Sequence, residues 1–110
     1  MKVKNRVKSH QEFQKVIEEG RLERTNCYNL YFLKNDLGYP RAGISVPTKS
    51  GNAVIRNKIK RQIRAILAHE LKEDLSLDLI FVVRKRFNIE NFFESEKEIK
   101  ELLEKVGQTK

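Results

Sequence analysis

One cysteine, Cys27, and two histidines, His10 and His69, are all the thiol and imidazole chemistry in this sequence of 110 residues. A lone thiol excludes an internal disulfide. Because Cys27 sits in an apolar run, it reads as a small buried residue rather than a nucleophile. The histidines lie far from any cysteine or clustered carboxylate, so tetrahedral zinc spacing is absent. No Walker-type glycine loop, nucleophile motif or suitably placed carboxylate pair occurs. The sequence therefore names no catalytic residue and no metal ligand of its own. Long apolar runs are missing too: the chain opens MKVKNRVK and never reaches a signal-peptide core or a membrane span. The expectation is a soluble, cytoplasmic protein with no membrane partner.

Acidic residues are scarce in one region above all. Residues 1–64 carry 15 Lys and Arg against 5 Asp and Glu, whereas residues 65–110 carry 8 against 10, so the net charge of +8 is concentrated in the first part. Between Pro47 and Ala68 there is no Asp or Glu. Such asymmetry favours a nucleic acid or an anionic membrane as partner. The length fits one domain, residues 1–110, and no repeat, linker or low-complexity segment divides it.

What is present reads as helix, strand, strand, helix, strand, helix. Ser9 and Glu12 have capping-box spacing, Phe13, Val16 and Ile17 give one helical face, and Gly20 offers a stop. The run Cys27–Leu33 alternates as a strand, with Tyr28, Leu30 and Phe32 on one side and Cys27, Asn29, Tyr31 and Leu33 on the other. After turn residues 35–38, Arg41 to Pro47 form a second strand in which Ala42, Ile44 and Val46 share a face, and the two are expected to pair as an antiparallel hairpin. A long helix is predicted from Ala53 to about Leu71. Leu77 to Val83 is a central strand, apolar on both faces apart from Asp78. A last helix is predicted from near Asn88 to Gly107. Helices segregated on a small, largely antiparallel sheet make an α+β layer.

The stretch NAVIRNKIKRQIR, Asn52 to Arg64, carries the charge. At roughly 100° per residue, with Arg56 at zero, Lys60 falls near 40°, Arg64 near 80°, Asn57 near 100° and Arg61 near 140°. Ile59, Ile63, Ile66 and Leu67 occupy the adjoining arc from about 280° through zero to about 20°. Lys58 points elsewhere, near 200°. The basic band thus borders a packed face, which would hold its spacing. Arg56, Lys60 and Arg64 repeat like charge at four-residue spacing, where ordinary solvated helices mix signs, and a polyanion would relieve the repulsion. Ser50-Gly51-Asn52 before the helix offers free N–H groups for one phosphate.

The segment GNAVIRNKIKRQIR, with NRVKSHQEFQKVIEEG and RAGISV before it, resembles the bacterial ribonuclease P protein subunit over nearly the whole chain. The resemblance implies a two-layer α/β sandwich: a central, mostly antiparallel four-stranded sheet with three helices and a left-handed βαβ crossover, ribosomal protein S5 domain 2-like. Three strands are evident in the sequence, so a fourth is expected from a stretch that reads as loop.

The resemblance also implies a partner, the ribonuclease P RNA, and a substrate, precursor tRNA. The holoenzyme is an endoribonuclease in which the RNA carries the chemistry with Mg2+, the protein itself binding no cofactor, with one protein per catalytic RNA. Catalytic-RNA binding is carried onto Arg56, Asn57, Lys58, Lys60, Arg61 and Arg64. A cleft for the 5′ leader is carried onto Phe13, Ile17, Tyr31, Ser45, Lys49, Asn57, Lys60 and Arg64. The sequence departs from the family pattern at Lys58, where arginine is usual, at Ile17, where an aromatic is frequent, and at Pro47-Thr48, where serine and lysine are common. Charge and size alone would equally fit a ribosomal or other structural RNA-binding protein with no role in cleavage.

Overall fold

The computed structural model describes residues 5–7 and 9–108; Lys8, within the NRVKSHQEFQKVIEEG stretch, lies outside them. The described elements are α1 (His10–Glu19), β1 (Arg21–Arg24), β2 (Tyr28–Lys34), β3 (Arg41–Ser45), α2 (Ala53–Glu70), β4 (Leu77–Val83) and α3 (Phe92–Gln108), with a short 3-10 turn at Thr48–Ser50 before α2. The four strands form one sheet in the order β1-β2-β4-β3. Only β3 and β4 run parallel, joined through α2, and the other two pairings are antiparallel.

The expected hairpin of the second and third strands does not form. β4 inserts between them, pairing antiparallel with β2 and parallel with β3. The physical reason lies in burial: β4 is apolar on both faces, so the centre of the sheet is its most favourable place. The hairpin is instead β1–β2, closed by Thr25, which accepts the Tyr28 N–H on Oγ1 at 3.2 Å. β1 is the fourth strand, and its sequence RLER is mostly exposed at the sheet edge. Cys27 falls just outside β2, in that turn.

Alternation divides the sheet into two faces. Tyr28, Leu30, Phe32, Ala42, Leu79 and Phe81 join Ile59, Ile63, Ile66 and Leu67 of α2 and Ile99, Leu102 and Val106 of α3 in the main core. Each of the four α2 aliphatics is at most 3% exposed, a burial worth about 1.5–3 kcal/mol apiece. Sheet and α2/α3 layer make the sandwich. α1 lies on the opposite face, where Phe13, Val16 and Ile17 meet Tyr31, Leu33, Ile80 and Val82.

Local signals placed the ends of α1 and α2 well. Ser9 and Glu12 form the full capping box, and the helix stops at Gly20. α3 starts later than its periodicity predicts. Asn88 caps a turn by accepting the Glu90 N–H, and Asn91, accepting from Glu94 N–H at 3.1 Å, is the helix cap. Ile89 therefore reaches the core from a loop.

Candidate nucleic-acid interface

α2 begins at Asn52, whose Oδ1 accepts the Ile55 N–H at 3.0 Å. Gly51 before it takes a φ of 145°, a conformation that disfavours any side chain. With Ile59, Ile63, Ile66 and Leu67 buried, the adjoining band is fixed as expected. Asn57, Lys58 and Arg61 are exposed, whereas Arg56, Lys60 and Arg64 are half-buried along their stems. The charge of this band is uncompensated. Among the described residues five ion pairs occur, and Glu70 is the only α2 residue in any of them. The Nε of Arg56 is buried without a hydrogen-bond partner. A helix that stacks like charge at four-residue spacing gives up a few tenths of a kcal/mol per pair.

The other predicted set divides into two groups. Phe13, Ile17 and Tyr31 come together in one half-buried apolar cluster under α1. A side chain at Gly43 would bring its Cβ within 2.5 Å of Phe13 Cζ, so the Phe13 ring rests directly on the β3 backbone. Register places Leu22, Tyr31, Ile80 and Gly43 in one row across this face, with Arg24, Asn29, Val82 and Ser45 in the next. Ser45 thus shares the face with Tyr31. Lys49, Asn57, Lys60 and Arg64 belong to the turn and helix that follow β3, and α2 packs on the opposite face of the sheet. They are not part of the apolar cluster.

Two features of this face escaped the sequence reading. Asn29 Oδ1 is buried with no hydrogen-bond partner among the described residues, which leaves an acceptor beside Val82 and Ser45. The second is an ionic tie that sets where α1 lies. Arg41 grips Asp78 with two bonds, Nε to Oδ1 at 3.0 Å and Nη2 to Oδ2 at 2.7 Å, and reaches Glu12 of α1 through Nη1 at 2.6 Å. Asn35 adds a bond to Asp78 Oδ1 at 2.9 Å. The bonds to Asp78 raise the Arg41 pKa above its already high ordinary value, and the bond from Arg41 lowers that of Glu12. Glu12 therefore both caps α1 and anchors it beside Phe13. The one sequence signal was Asp78, an acid inside an otherwise apolar strand.

Among the described residues, the only three potential metal ligands to converge are Cys27, Glu94 and Glu98. Cys27 sits in the turn before β2 and the two carboxylates in the first two turns of α3, and Cys27 bonds to both. The Cys27 N–H donates to Glu98 Oε1 at 2.9 Å, and its thiol lies 3.4 Å from both carboxylates. Burial first, and then the charge of Glu98, push the Cys27 thiol up to about 12. Burial works against the Glu98 carboxylate, and the hydrogen bonds from Thr25 and Cys27 outweigh it, lowering its pKa. A buried thiol held protonated is a poor nucleophile and a poor thiolate ligand.

The sequence and the fold are both similar to those of known proteins. Residues 1–107 match the Ribonuclease P protein family. The chain is 41% identical over 105 residues to the ribonuclease P protein component of Mesoplasma florum, covering 94% of this chain and 96% of that one. It is 35% identical over 107 residues to the component of Streptococcus agalactiae, covering 97% and 98% respectively. The solved ribonuclease P protein of Thermotoga maritima superposes with a TM-score of 0.80 at 27% identity, over 91% of this chain and 96% of that one.

Proposed function

Because the chain belongs to the bacterial ribonuclease P protein family, and so is the protein subunit of the enzyme that matures the 5′ end of tRNA, we propose that its α2 band binds the catalytic RNA and that the cleft between α1 and the sheet receives the 5′ leader of precursor tRNA. The observation that carries this reading is the uncompensated charge of α2, with five cations between Arg56 and Arg64 and no ion pair to any of them among the described residues. Arg56, Lys58, Lys60, Arg61 and Arg64 take RNA phosphates, and Asn57 supplies an amide to the same contact. Each phosphate neutralised releases condensed counterions, so the contact strengthens as salt falls. In the cell, one such domain, residues 1–110, serves one catalytic RNA in the cytoplasm.

Hydrolysis belongs to the RNA with its magnesium. The protein's part is electrostatic: a fixed row of cations lowers the repulsion between the catalytic RNA and the precursor, and with it the magnesium needed for cleavage. The check is precursor cleavage by the protein alone after rigorous removal of RNA. No 5′ processing is expected, and full activity on adding ribonuclease P RNA at low magnesium; specific cleavage that survives ribonuclease treatment of the preparation would sink the assignment.

For the leader, Phe13, Ile17 and Tyr31 supply apolar walls, Ser45 a hydroxyl, and Lys49, Asn57, Lys60 and Arg64 polar and cationic groups for the adjoining backbone. Tyr31 is the informative residue, being aromatic and half-buried. Tyr31→Ala is expected to weaken binding of leader-bearing precursor tRNA to the holoenzyme by about 1–3 kcal/mol, while leaderless mature tRNA changes little. Thermal unfolding serves as the control. An unchanged precursor-to-mature ratio in a folded variant removes Tyr31 from the site.

A further inference from the structure

A cavity of about 500 Å³ opens between the Thr48–Ser50 turn, the first turn of α2 and the loop from Arg84 to Ile89. That volume is within the range of small-ligand sites, about 300–1,000 Å³. Its floor is Ile59 and Val83, both core residues, and Ile55, Phe87 and Ile89 form its walls. Lys49, Arg84 and Lys85 stand at the rim, and no Asp or Glu lines it. The walls are held in place. Gln62 Nε2 on α2 donates to the Ile89 carbonyl at 3.0 Å, the Phe87 N–H to the Arg84 carbonyl at 3.0 Å, and the Phe87 ring packs edge-on against Tyr28 with centroids 5.8 Å apart. Arg84 is itself fixed by a bond from Nη1 to the Thr25 carbonyl. Lys49 and Lys85 are exposed and enter no ion pair among the described residues.

We propose that this cavity takes one unstacked nucleotide of the catalytic RNA, its base between Ile55 and Phe87 and a flanking phosphate on Lys85. The inference rests on the reading that α2 binds that RNA. An apolar slot with a purely cationic rim matches a nucleotide on both counts, since every base offers a flat apolar face and every linkage an anion. Ile55 would otherwise be a wasted apolar side chain, 39% exposed at the mouth of the slot. The catalytic RNA, rather than the leader, is the occupant because the slot opens on the α2 side. Its floor belongs to the core under α2 and α3, whereas Phe13, Ile17 and Tyr31 belong to the cluster on the other face. Arg56, the first cation of the band, directly follows Ile55.

The test uses the full chain with ribonuclease P RNA and precursor tRNA. Lys85→p-benzoylphenylalanine places a photoreactive group at the rim. One cross-link to an unpaired nucleotide of the catalytic RNA is expected; cross-links only to the leader, only to paired nucleotides, or none, overturn the proposal. Ile55→Gln is expected to lower affinity for the catalytic RNA about 5- to 30-fold with the salt slope unchanged, because it removes an apolar contact. Lys85→Gln, at an exposed position, is expected to weaken binding and reduce the slope by about 0.7–0.9. Wild-type affinity in both variants, with loss in a Lys60→Ala, Arg61→Ala double variant, rejects the slot and keeps the α2 reading. Wild-type affinity in all three rejects both.

Discussion

Replacing Lys60 and Arg61 together by alanine is expected to lower affinity for the catalytic RNA roughly 100-fold and to flatten the dependence of log K on log salt by about 1.4–1.8. Two charge-assisted contacts at about 1.5 kcal/mol each give the first figure. Two phosphates no longer neutralised give the second. The fold should not suffer, because both side chains lie outside the buried Ile59, Ile63, Ile66 and Leu67 stripe. Removing Lys60 also relieves its repulsion with Arg56 and Arg64, so thermal stability in the free protein is expected to hold or rise slightly. Affinity and slope both at wild-type values would show that the band is not the RNA contact, whatever the stability does.

That band was legible because a helix is a local object. The capping residue Asn52, the apolar stripe and the missing acids all lie within one stretch of sequence, and a rotation of about 100° per residue is enough to assemble them. The Ser9–Glu12 box was legible for the same reason. Sheet order was not. The two strands flanking residues 35–38 look like hairpin partners, but β4, some thirty residues further on, displaces that pairing because it alone must be covered on both faces. β1 stayed hidden because an edge strand needs no apolar alternation, and RLER has little. Before α3, Ile89 extends the helical spacing of the later apolar residues yet packs on the core from a loop, with Asn91 capping the helix after it, so periodicity alone placed the start too early. The site is divided along the same line: the cations of α2 could be assembled from spacing, whereas the meeting of Phe13 and Tyr31 depends on where α1 crosses the sheet.

What fixes that crossing is the Arg41–Asp78–Glu12 tie, and removing its centre is expected to have the largest effect on stability. With side chains 20% and 10% exposed, Arg41 and Asp78 are largely out of water. Asp78→Ala would leave the largely buried guanidinium with the more exposed Glu12 as its one carboxylate partner and the Asn35 amide without one acceptor, for a loss of about 3 kcal/mol and a fall in Tm on the order of 10 °C. Pairing it with Arg41→Met should recover most of that loss, since a buried ion pair replaced by apolar groups is often close to neutral. Equal destabilisation in the single and double variants would refute this account of the tie. Acid should loosen the same contact from the α1 side. Arg41 holds the Glu12 pKa below its ordinary 4.5, so the contribution of Glu12 is present above that value and is lost as pH falls through the lower, folded one. The double variant also separates the two surfaces of the protein. Its α2 band is untouched, so affinity for the catalytic RNA should stay at wild type. α1 loses its anchor beside Phe13, so the preference of the holoenzyme for leader-bearing over leaderless tRNA should fall. Retention of that preference in a folded Arg41→Met, Asp78→Ala protein would mean that apolar packing of Phe13, Val16 and Ile17 alone sets the position of α1.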